Sequence, residues 1–318
     1  MHKSLHNVKK PLWRELLESI ISALLVVFLL SNTVSLYLVP SGSAEPTILV
    51  GDRIVGNKLA YFFKEIKHGD FVIFDHRPQA SYFYDDGMVN YLWQRYVGFY
   101  IQFLGLKEGP INVVKRVIAM PGDVIEGKVE DGKTSIYLNG SKLDELYINS
   151  NPLIYLHKKV GLLPIKSATV PLPKFLCQSM KTVKYTYVKG LPYEKQPYYN
   201  IYEDEVITNH LTGKPMLDHA YEPMYASRQA HNENVSIDSF GPIKLPQDMY
   251  WVMGDSRKNS EDSRYWGMLD KRYIRGQASF TLFSIDSEEA IWLFDLIKNP
   301  IKFWTKNIRW NRFFKKIS

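Results

Sequence analysis

Residues 20–39 contain no charged side chain, and this run most constrains what the chain can fold into. A helix of about 20 apolar residues is long enough to cross the hydrocarbon core of a bilayer. Leu16-Leu17 extend the apolar character backward, whereas Ser31-Asn32-Thr33 weaken it at the far end. We therefore predict a transmembrane helix over residues 15–34. The β-branched and aromatic residues 34–39 predict a strand directly after it.

The charges on either side of this helix predict its orientation. Basic residues precede it, whereas the small and polar segment Pro40-Ser41-Gly42-Ser43 follows it. Because basic flanks stay on the cytoplasmic side, residues 1–14 are predicted to be cytoplasmic and the remainder to be exported. The alternative is a cleavable secretory signal, with Gly42 and Ala44 in a cleavage-like pattern. The length of the run favours the anchor. The basic residues before the helix are Lys3, Lys9, Lys10 and Arg14.

Composition predicts a folded chain, with 45% apolar and 23% charged residues over a length of 318. The net charge of +7 admits nucleic acid or an anionic membrane as a partner. No zinc-knuckle, helix-turn-helix or glycine-rich phosphate motif is present, so we predict no nucleic-acid partner. Aromatic residues beside Lys and Arg near both ends of the chain favour the lipid bilayer instead.

Cysteine and histidine usage argues against two other kinds of chemistry. Cys177 is the single cysteine, so no internal disulfide can form, and no cysteine-peptidase motif with a histidine accompanies it. The eight histidines form no close pair with metal-ligand spacing. We therefore predict no metal site.

Three Gly-Asp pairs, at residues 51–52, 69–70 and 122–123, each precede a β-rich run. This spacing predicts a mainly β fold with tight turns, in which residues 47–50 also form a strand. Residues 127–245 are polar, rich in Tyr and Pro, and predicted to form a β-rich insertion domain. The predicted order is a cytoplasmic segment 1–14, the helix 15–34, a catalytic β domain over 35–126 that contains an aromatic insertion 76–110, the insertion domain 127–245, the rest of the catalytic domain over 246–290, and a basic, aromatic segment 291–318.

Local signals refine three of these regions. Asn139-Gly140 follows a short β run and predicts a hairpin. The aromatic stretch of residues 91–104 is compatible with a buried hairpin or an interfacial helix. The segment 291–318 interleaves aromatic and basic residues, which favours an element at a membrane interface, although an ordinary core edge with a solvated basic face is the alternative.

Ser43 and Lys115 are the candidates for chemistry. A serine hydroxyl needs a base, no histidine lies in a triad context, and a lysine can act as that base only if burial keeps its amine neutral. Strand alternation places Lys115 and Arg116 on opposite faces, so one must point inward if one face is buried. A guanidinium cannot give up its proton, which leaves Lys115. The alternative is an edge strand with both cations in solvent. The Ser41 hydroxyl and the Ser43 amide could hold an oxyanion.

Four blocks together resemble the type I signal peptidases, membrane-bound serine peptidases that remove signal sequences from exported proteins. They occur in the order found in that family. The last block, which ends in Asp-Ser-Arg-Tyr-Trp-Gly, is the most specific. The blocks are residues 39–58, 69–74, 115–123 and 254–267.

The resemblance implies a role for each matching residue. Ser43 would be the acylated nucleophile and Lys115 the general base, and cleavage would follow small residues. Ser41 would donate a hydrogen bond to the oxyanion, and Ser260 would orient the lysine. Two acidic and two basic residues would support the site structurally: Asp255, Arg257, Asp262 and Arg264. The shallow substrate pockets would be lined by Val39, Pro40, Ala44, Ile48, Val113 and Val114.

The resemblance implies that the reaction needs no cofactor. It also implies where the protein acts and on what. It predicts a single-pass protein of the bacterial inner membrane whose catalytic domain faces the periplasm and acts on pre-proteins that carry signal peptides. Ala44 replaces the usual Met after the nucleophile, and Ser256-Arg257-Lys258 replaces the usual Asn-Arg-Asp. These departures and the two insertions leave two alternatives open. One is a specialised peptidase for a dedicated secretion or conjugation substrate, and the other is a non-catalytic, membrane-anchored binding protein on the same fold.

Overall fold

The fold is seen in a computed structural model, which describes residues 11–75, 112–131, 133–162, 177–218, 237–287, 289 and 292–318. The predicted insertion 76–110, with its aromatic stretch 91–104, lies outside the described residues. The same holds for the basic residues before position 11 and for parts of the predicted insertion domain 127–245.

A long helix precedes the first strand, as predicted. Helix α1 covers Leu12–Thr33 and strand β1 follows at Val34–Leu38. Apolar side chains such as Leu24 and Leu25 on this helix are 63% and 56% exposed. Among the helices within the described residues, none is both long and apolar enough to cross a bilayer.

The remaining described chain is mainly β, in agreement with the predicted fold class. Four further helices are short: α2 Ala60–Phe63, α3 Ser263–Trp266, α4 Leu293–Lys298 and α5 Pro300–Lys302. The other strands are β2 Asp52–Asn57, β3 Phe71–Asp75, β4 Asn112–Ala119, β5 Val124–Glu130, β6 Lys133–Leu138, β7 Ser141–Lys142, β8 Leu153–Val160, β9 Ser179–Thr186, β10 Phe240–Lys244, β11 Met249–Met253, β12 Leu269–Asp270, β13 Ile274–Ser284 and β14 Lys315–Lys316.

The largest sheet has eight strands in the order β1-β2-β13-β3-β4-β11-β12, with β14 paired to β13. Its strand pairs are antiparallel. Strand β4 therefore lies inside the sheet, hydrogen-bonded to β3 on one side and to β11 on the other. This position excludes the solvent-exposed edge strand that was the alternative for residues 113–118.

The Gly-Asp pairs precede strands as predicted. Gly51, Gly69 and Gly122 have φ angles of +87°, +82° and +93°, a backbone conformation that favours glycine, and β2, β3 and β5 begin one or two residues later. The strand predicted over residues 47–50 is wrong, because these residues form turns. The Leu49 amide donates to Asp52 Oδ2 at 2.9 Å, which holds the chain in a turn although Ile48 and Leu49 are fully buried.

Two smaller sheets contain the other strands. One has the order β10-β5-β6-β7, and its last two strands form the predicted hairpin at Asn139-Gly140, where both residues have positive φ. The other pairs β8 with β9. Strand β5 crosses the predicted domain boundary between residues 126 and 127, so the sequence placed that boundary inside a strand.

Separate hydrophobic clusters lie beneath these sheets. Ile54, Phe71 and Ile73 pack with Ala44 and Ile48 under the large sheet. Under β8 and β9, Ile154, Leu156, Tyr185 and Tyr199 pack with Leu49. The segment that follows residue 43 therefore contributes side chains to two cores, Ala44 and Ile48 to the first and Leu49 to the second.

The C-terminal segment packs on the large sheet through part of its aromatic surface. Phe303 is buried against Ile285 and Ile308, and β14 pairs with β13. Trp304, Trp310 and Phe314 remain 50%, 55% and 70% exposed. The segment is therefore an edge of the core that also carries exposed aromatic residues, and its contact with a membrane interface stays a prediction.

Candidate active site

Ser43 lies in a short 3₁₀ turn, Gly42–Ala44, between β1 and β2, and is only 9% exposed. Its carbonyl oxygen accepts a hydrogen bond from the Ser256 amide at 3.1 Å. A Cβ atom on Gly254 would lie 2.3 Å from both the Ser43 carbonyl oxygen and Ser260 Oγ. Glycine at this position allows the turn that carries Ser43 and the segment that carries Ser260 to approach each other.

Lys115 lies on β4, opposite Val72 of β3, and is 2% exposed. Burial lowers the pKa of Lys115 to about 8, because the charged amine loses its hydration. The negative charge of Asp262 acts in the opposite direction and the positive charge of Arg264 adds to the lowering. A substantial fraction of this amine is thus uncharged slightly above neutral pH, as a general base requires.

Arg116, on the opposite face of β4, is also buried, at 3% exposed. Both faces of β4 are therefore covered, and both cations point inward. The guanidinium of Arg116 donates to both carboxylate oxygens of Asp255, each at 2.8 Å, and lies over the rings of Phe71 and Tyr147. Pairing with a carboxylate is what allows a permanently charged side chain to be buried.

A cleft of about 310 Å³ brings Ser43 and Lys115 together. Ser41 lies at the same cleft, and is exposed. The predicted pocket residues Val39, Pro40, Val113 and Val114 all line it, together with Tyr37, Leu38, Ile54, Ile73, Asn112, Asn259 and Glu261.

Ala44 and Ile48, predicted to line the substrate pockets, lie elsewhere. They are 1% and 0% exposed and pack in the core under the large sheet, outside the lining of the cleft. The prediction is corrected because the backbone turns after Ser43 and directs both side chains inward. Their size therefore influences the cleft through the core beneath it.

Ser260 is buried, at 2% exposed, beside the turn that carries Ser43. Its hydroxyl has no hydrogen-bond partner within the described residues. The hydrogen bond from Ser260 to the lysine that the sequence resemblance implied is thus not formed in this structure. The hydroxyl is nevertheless close to the cleft, since Asn259 and Glu261 on either side of it line that cleft.

Asp262 and Arg264 form the predicted ion pair, with Nε and Oδ1 at 2.9 Å and Nη2 and Oδ2 at 3.0 Å. Burial alone would raise the pKa of Asp262, but the adjacent Arg264 holds it below its ordinary value. Asp262 also accepts from the Gly254 amide at 3.0 Å. Arg264 donates to Asp238 as well, at 2.6 Å. The pair thereby fixes the segment that passes beneath Ser43.

Asp255 and Arg257 support the same segment through partners that the sequence did not identify. Asp255 binds Arg116 and accepts from the Thr47 hydroxyl at 2.6 Å. Arg257 donates to Glu145 and, at 3.2 Å, to the Gly254 carbonyl. Three of these partners, Arg116, Thr47 and Glu145, are more than a hundred residues away in sequence and carry no spacing signal, which is why pattern analysis missed them.

Glu45 was also missed by sequence analysis, and it is 1% exposed. The sequence around it gives only a weak signal, an acidic side chain between Ala44 and Pro46, two positions after the candidate nucleophile.

The described residues contain no group of three or more His, Cys, Asp or Glu side chains that could hold a metal ion.

Comparison with known proteins identifies the family. The family model described as "Signal peptidase, peptidase S26" matches residues 13–283 of this chain. The chain belongs to this family. Signal peptidase membership confirms the resemblance drawn from the sequence and the predicted class of enzyme, a serine endopeptidase.

The sequence is similar to curated signal peptidases along most of their length. Signal peptidase I of Aquifex aeolicus is 26% identical over 276 residues, which cover 85% of this chain and 84% of the relative. Signal peptidase I of Bacillus licheniformis is 24% identical over 278 residues, covering 87% and 91%. A solved signal peptidase I from Enterococcus faecalis V583 has 17% identity and a TM-score of 0.26, covering 67% of this chain and 97% of that one.

Proposed function

We propose that this signal peptidase cleaves signal peptides from exported pre-proteins with a dyad of Ser43 and Lys115. The observation that carries the proposal is the buried amine of Lys115, which lies at the same cleft as Ser43 and has its pKa lowered to about 8. A solvated lysine would be almost entirely protonated near neutral pH and could not act as a base.

The proposed reaction begins when Lys115 Nζ takes the proton of Ser43 Oγ as that oxygen attacks the scissile carbonyl carbon. The Ser41 hydroxyl and the Ser43 amide donate hydrogen bonds to the oxyanion that forms. When the carbon–nitrogen bond breaks, the protonated lysine gives its proton to the leaving amine. Lys115 then takes a proton from a water as that water attacks the acyl-enzyme carbonyl carbon. When the bond between this carbon and Ser43 Oγ breaks, the lysine gives the proton to Ser43 Oγ.

The cleft supports a preference for small residues on the acyl side of the cut. Its wall is apolar and includes Val39, Val113 and Val114, and its volume of about 310 Å³ is at the low end for ligand pockets. An extended peptide places alternate side chains on the same side, so two small side chains would enter the cleft while the one between them points away.

We propose further that α1 anchors the protein in the bacterial inner membrane, with the catalytic domain on the periplasmic side. Residues 20–39 lack charge, and apolar side chains of α1 such as Leu24 and Leu25 are more than half exposed. Basic residues precede the helix, which favours a cytoplasmic N-terminus. The lipid bilayer would then be a second partner besides the pre-protein, and it would hold the cleft near the membrane surface.

Cleavage of a purified pre-protein in detergent tests the dyad. We expect wild type to release the signal peptide, and Ser43→Ala and Lys115→Ala each to lose at least about a thousandfold in kcat/KM, because the reaction loses its nucleophile or its base. Lys258→Ala, a neighbouring cation outside the proposed dyad, is the matched control. Activity of either dyad variant close to that of the control would contradict the proposal.

A further inference from the structure

Glu45 is a buried carboxyl that the reaction above does not use. It lies two residues after Ser43 and is 1% exposed. A carboxyl group is rarely this buried unless its oxygens are hydrogen-bonded. The partners of Glu45 therefore indicate what it does.

Both oxygens of the Glu45 carboxyl accept hydrogen bonds from the side of the β8–β9 sheet. The hydroxyl of Thr186, at the end of β9, donates to Oε2, and the hydroxyl of Tyr199 donates to Oε1. These two hydroxyls are themselves held, because the Asn149 side chain donates to Thr186 Oγ1 at 3.0 Å and the Val50 amide donates to the Tyr199 oxygen at 3.1 Å. The carboxyl thus joins a network whose members are each fixed by a second contact.

The other side of the same carboxyl lies against the turn that carries Ser43. A Cβ atom on Gly42 would be 2.4 Å from Glu45 Oε1, so glycine at this position is what lets the carboxyl approach the backbone. The Glu45 amide also donates to the Gly42 carbonyl at 3.2 Å. A shift of the carboxyl would therefore be transmitted to the backbone of residues 42–45.

The surface that holds Glu45 is part of a closely packed core. Tyr199 stacks on Tyr185, with ring centroids 4.0 Å apart and planes inclined by 4°, and both rings are buried in the core under β8 and β9. Leu49 enters the same core. The nucleophile turn is consequently attached to the β8–β9 sheet at two points, the carboxyl of Glu45 and the side chain of Leu49.

Charged and titratable groups of the described residues lie around Glu45. Arg309 favours its ionised form and Asp52 opposes it. Asp52 is itself paired with Arg312, and the phenols of Tyr198 and Tyr199 also interact with the Glu45 carboxyl. Burial is the largest influence and raises the pKa of Glu45 to about 7.

We propose that Glu45 is a positioning residue for Ser43, and that Thr186 and Tyr199 hold it, so that the β8–β9 sheet forms part of the catalytic unit. The inference rests on the proposed role of Ser43 as the nucleophile. Its physical basis is that a nucleophile must be held within a fraction of an ångström of its productive position. In this protein that position is set by a contact between segments more than a hundred residues apart in sequence.

Kinetics of the full chain in detergent, with a pre-protein whose signal peptide ends in small residues, test this role. Glu45→Met keeps the length of the side chain and removes both acceptors. We expect it to lower kcat about tenfold to a hundredfold, as expected for a misplaced reacting group, while KM changes less than about threefold. Glu45→Gln keeps one acceptor and should recover most of the lost kcat. Glu203→Met, at an exposed glutamate, is the matched control and should match wild type.

Thr186→Val and Tyr199→Phe provide the same readout if Glu45→Met does not fold. Each removes one hydroxyl, and each should lower kcat with little change in KM or in Tm. When combined with Glu45→Gln, each should lower kcat by less than the product of the separate effects. Wild-type kcat in Glu45→Met, or in both hydroxyl variants, would overturn the inference. The inference would also be overturned if the decrease in kcat of each variant were fully explained by its smaller fraction of folded protein.

A pH series of melting temperatures adds an independent readout. Because the folded-state pKa of Glu45 is raised from 4.5 to about 7, its stabilising contribution is present below pH 4.5 and is lost as the pH rises through 7. The Tm of Glu45→Gln should therefore rise relative to wild type between about pH 5 and about pH 8. A constant difference would contradict the raised pKa of the buried carboxyl.

Activity of Ser43→Ala separates this inference from the proposed function. If Ser43→Ala is inactive and Glu45→Met is fully active, the dyad stands and the positioning role fails. If Ser43→Ala retains activity, the dyad itself fails, whatever Glu45→Met does.

Discussion

At the scale of single residues, the site depends on the different surroundings of two buried cations on β4, Lys115 and Arg116. Lys115 and Arg116 are adjacent and equally buried, but their surroundings differ. Arg116 is neutralised by a bidentate contact with Asp255, whereas Asp262, the carboxylate that acts most strongly on Lys115, is engaged by Arg264. A lysine can act as a base when burial lowers its pKa and no carboxylate pairs with it directly to raise that pKa again.

Asp262→Asn tests this balance of charges. Asp262 raises the pKa of Lys115 and Arg264 lowers it, so removing the carboxylate should lower that pKa further. Because the neutral amine is the active form, the rise of kcat/KM with pH should move to lower pH, by a shift on the order of one pH unit.

The measurement is a pH profile of kcat/KM after melting has shown that the variant is folded. Asp248→Asn, at a carboxylate with 56% of its side chain exposed, is the matched control and should leave the profile unchanged. A profile of Asp262→Asn that stays in place or moves to higher pH would contradict the electrostatic account of Lys115.

At the scale of elements, β4 is the strand on which the site is built. It lies between β3 and β11 and is covered on both faces, so its two cations can be buried at adjacent positions. The Arg116–Asp255 contact connects β4 to the segment beneath Ser43, because Asp255 also binds Thr47 and is adjacent to Ser256, whose amide holds the Ser43 carbonyl.

Arg116→Met should destabilise the protein strongly. It leaves Asp255 buried without its counter-ion, and breaking a buried pair in this way costs about 3–5 kcal/mol of unfolding free energy. Thermal melting in detergent measures the loss, and Arg272→Met, at an ion pair whose arginine is 73% exposed, is the control. The double variant Arg116→Met, Asp255→Leu should recover part of the loss. An Arg116→Met protein as stable as the control would show that the pair does not hold β4 to this segment.

Local patterns in the sequence predicted several elements correctly because the physics involved is local. Gly-Asp turns precede β2, β3 and β5, and Asn139-Gly140 forms a hairpin. These turns depend on residues that adopt positive φ angles, and such residues can be recognised from one or two sequence positions. Residues 47–50 were predicted as a strand because their side chains are apolar. Their turn is fixed by Asp52 and by burial in two different cores, which no local pattern reveals.

The site was predictable to the extent that its residues lie in recognisable blocks. As expected, Ser43 and Lys115 line the same cleft, and Asp262 forms an ion pair with Arg264. The contacts of Glu45 with Thr186 and of Arg257 with Glu145 join segments whose sequence separation exceeds one hundred residues. Such contacts depend on how the sheets pack, so they emerge only from the structure.

At the scale of the whole molecule, the turn that carries Ser43 lies where three parts of the chain meet. Helix α1 leads directly into β1, and the turn follows at the end of that strand. The large sheet and the β8–β9 sheet each bury one of the residues that follow the turn. Only residues 34–41, the five-residue strand β1 and three further residues, separate the proposed anchor from this turn, which would keep the cleft close to the membrane surface.

Removal of residues 1–33 tests the anchor. Since β1 begins at Val34, the shortened chain keeps every strand of the large sheet. We expect the full chain to sediment with membranes and to require detergent for release, and the shortened chain to lose that requirement while keeping its Tm. Release of the full chain by high salt or carbonate alone would contradict a spanning helix, because those treatments remove only surface-bound proteins.

The pH dependence of kcat/KM between about pH 6 and about pH 10 tests the central claim most directly, since it reports the pKa of the free enzyme's essential base. With the pKa of Lys115 lowered to about 8, activity should rise as the pH increases through that value. Wild type should show this rise, and Lys115→Arg should show none, because a guanidinium stays protonated throughout. A wild-type profile that is flat across this range, or that rises only near the ordinary lysine pKa of about 10.4, would contradict the assignment of Lys115 as the base.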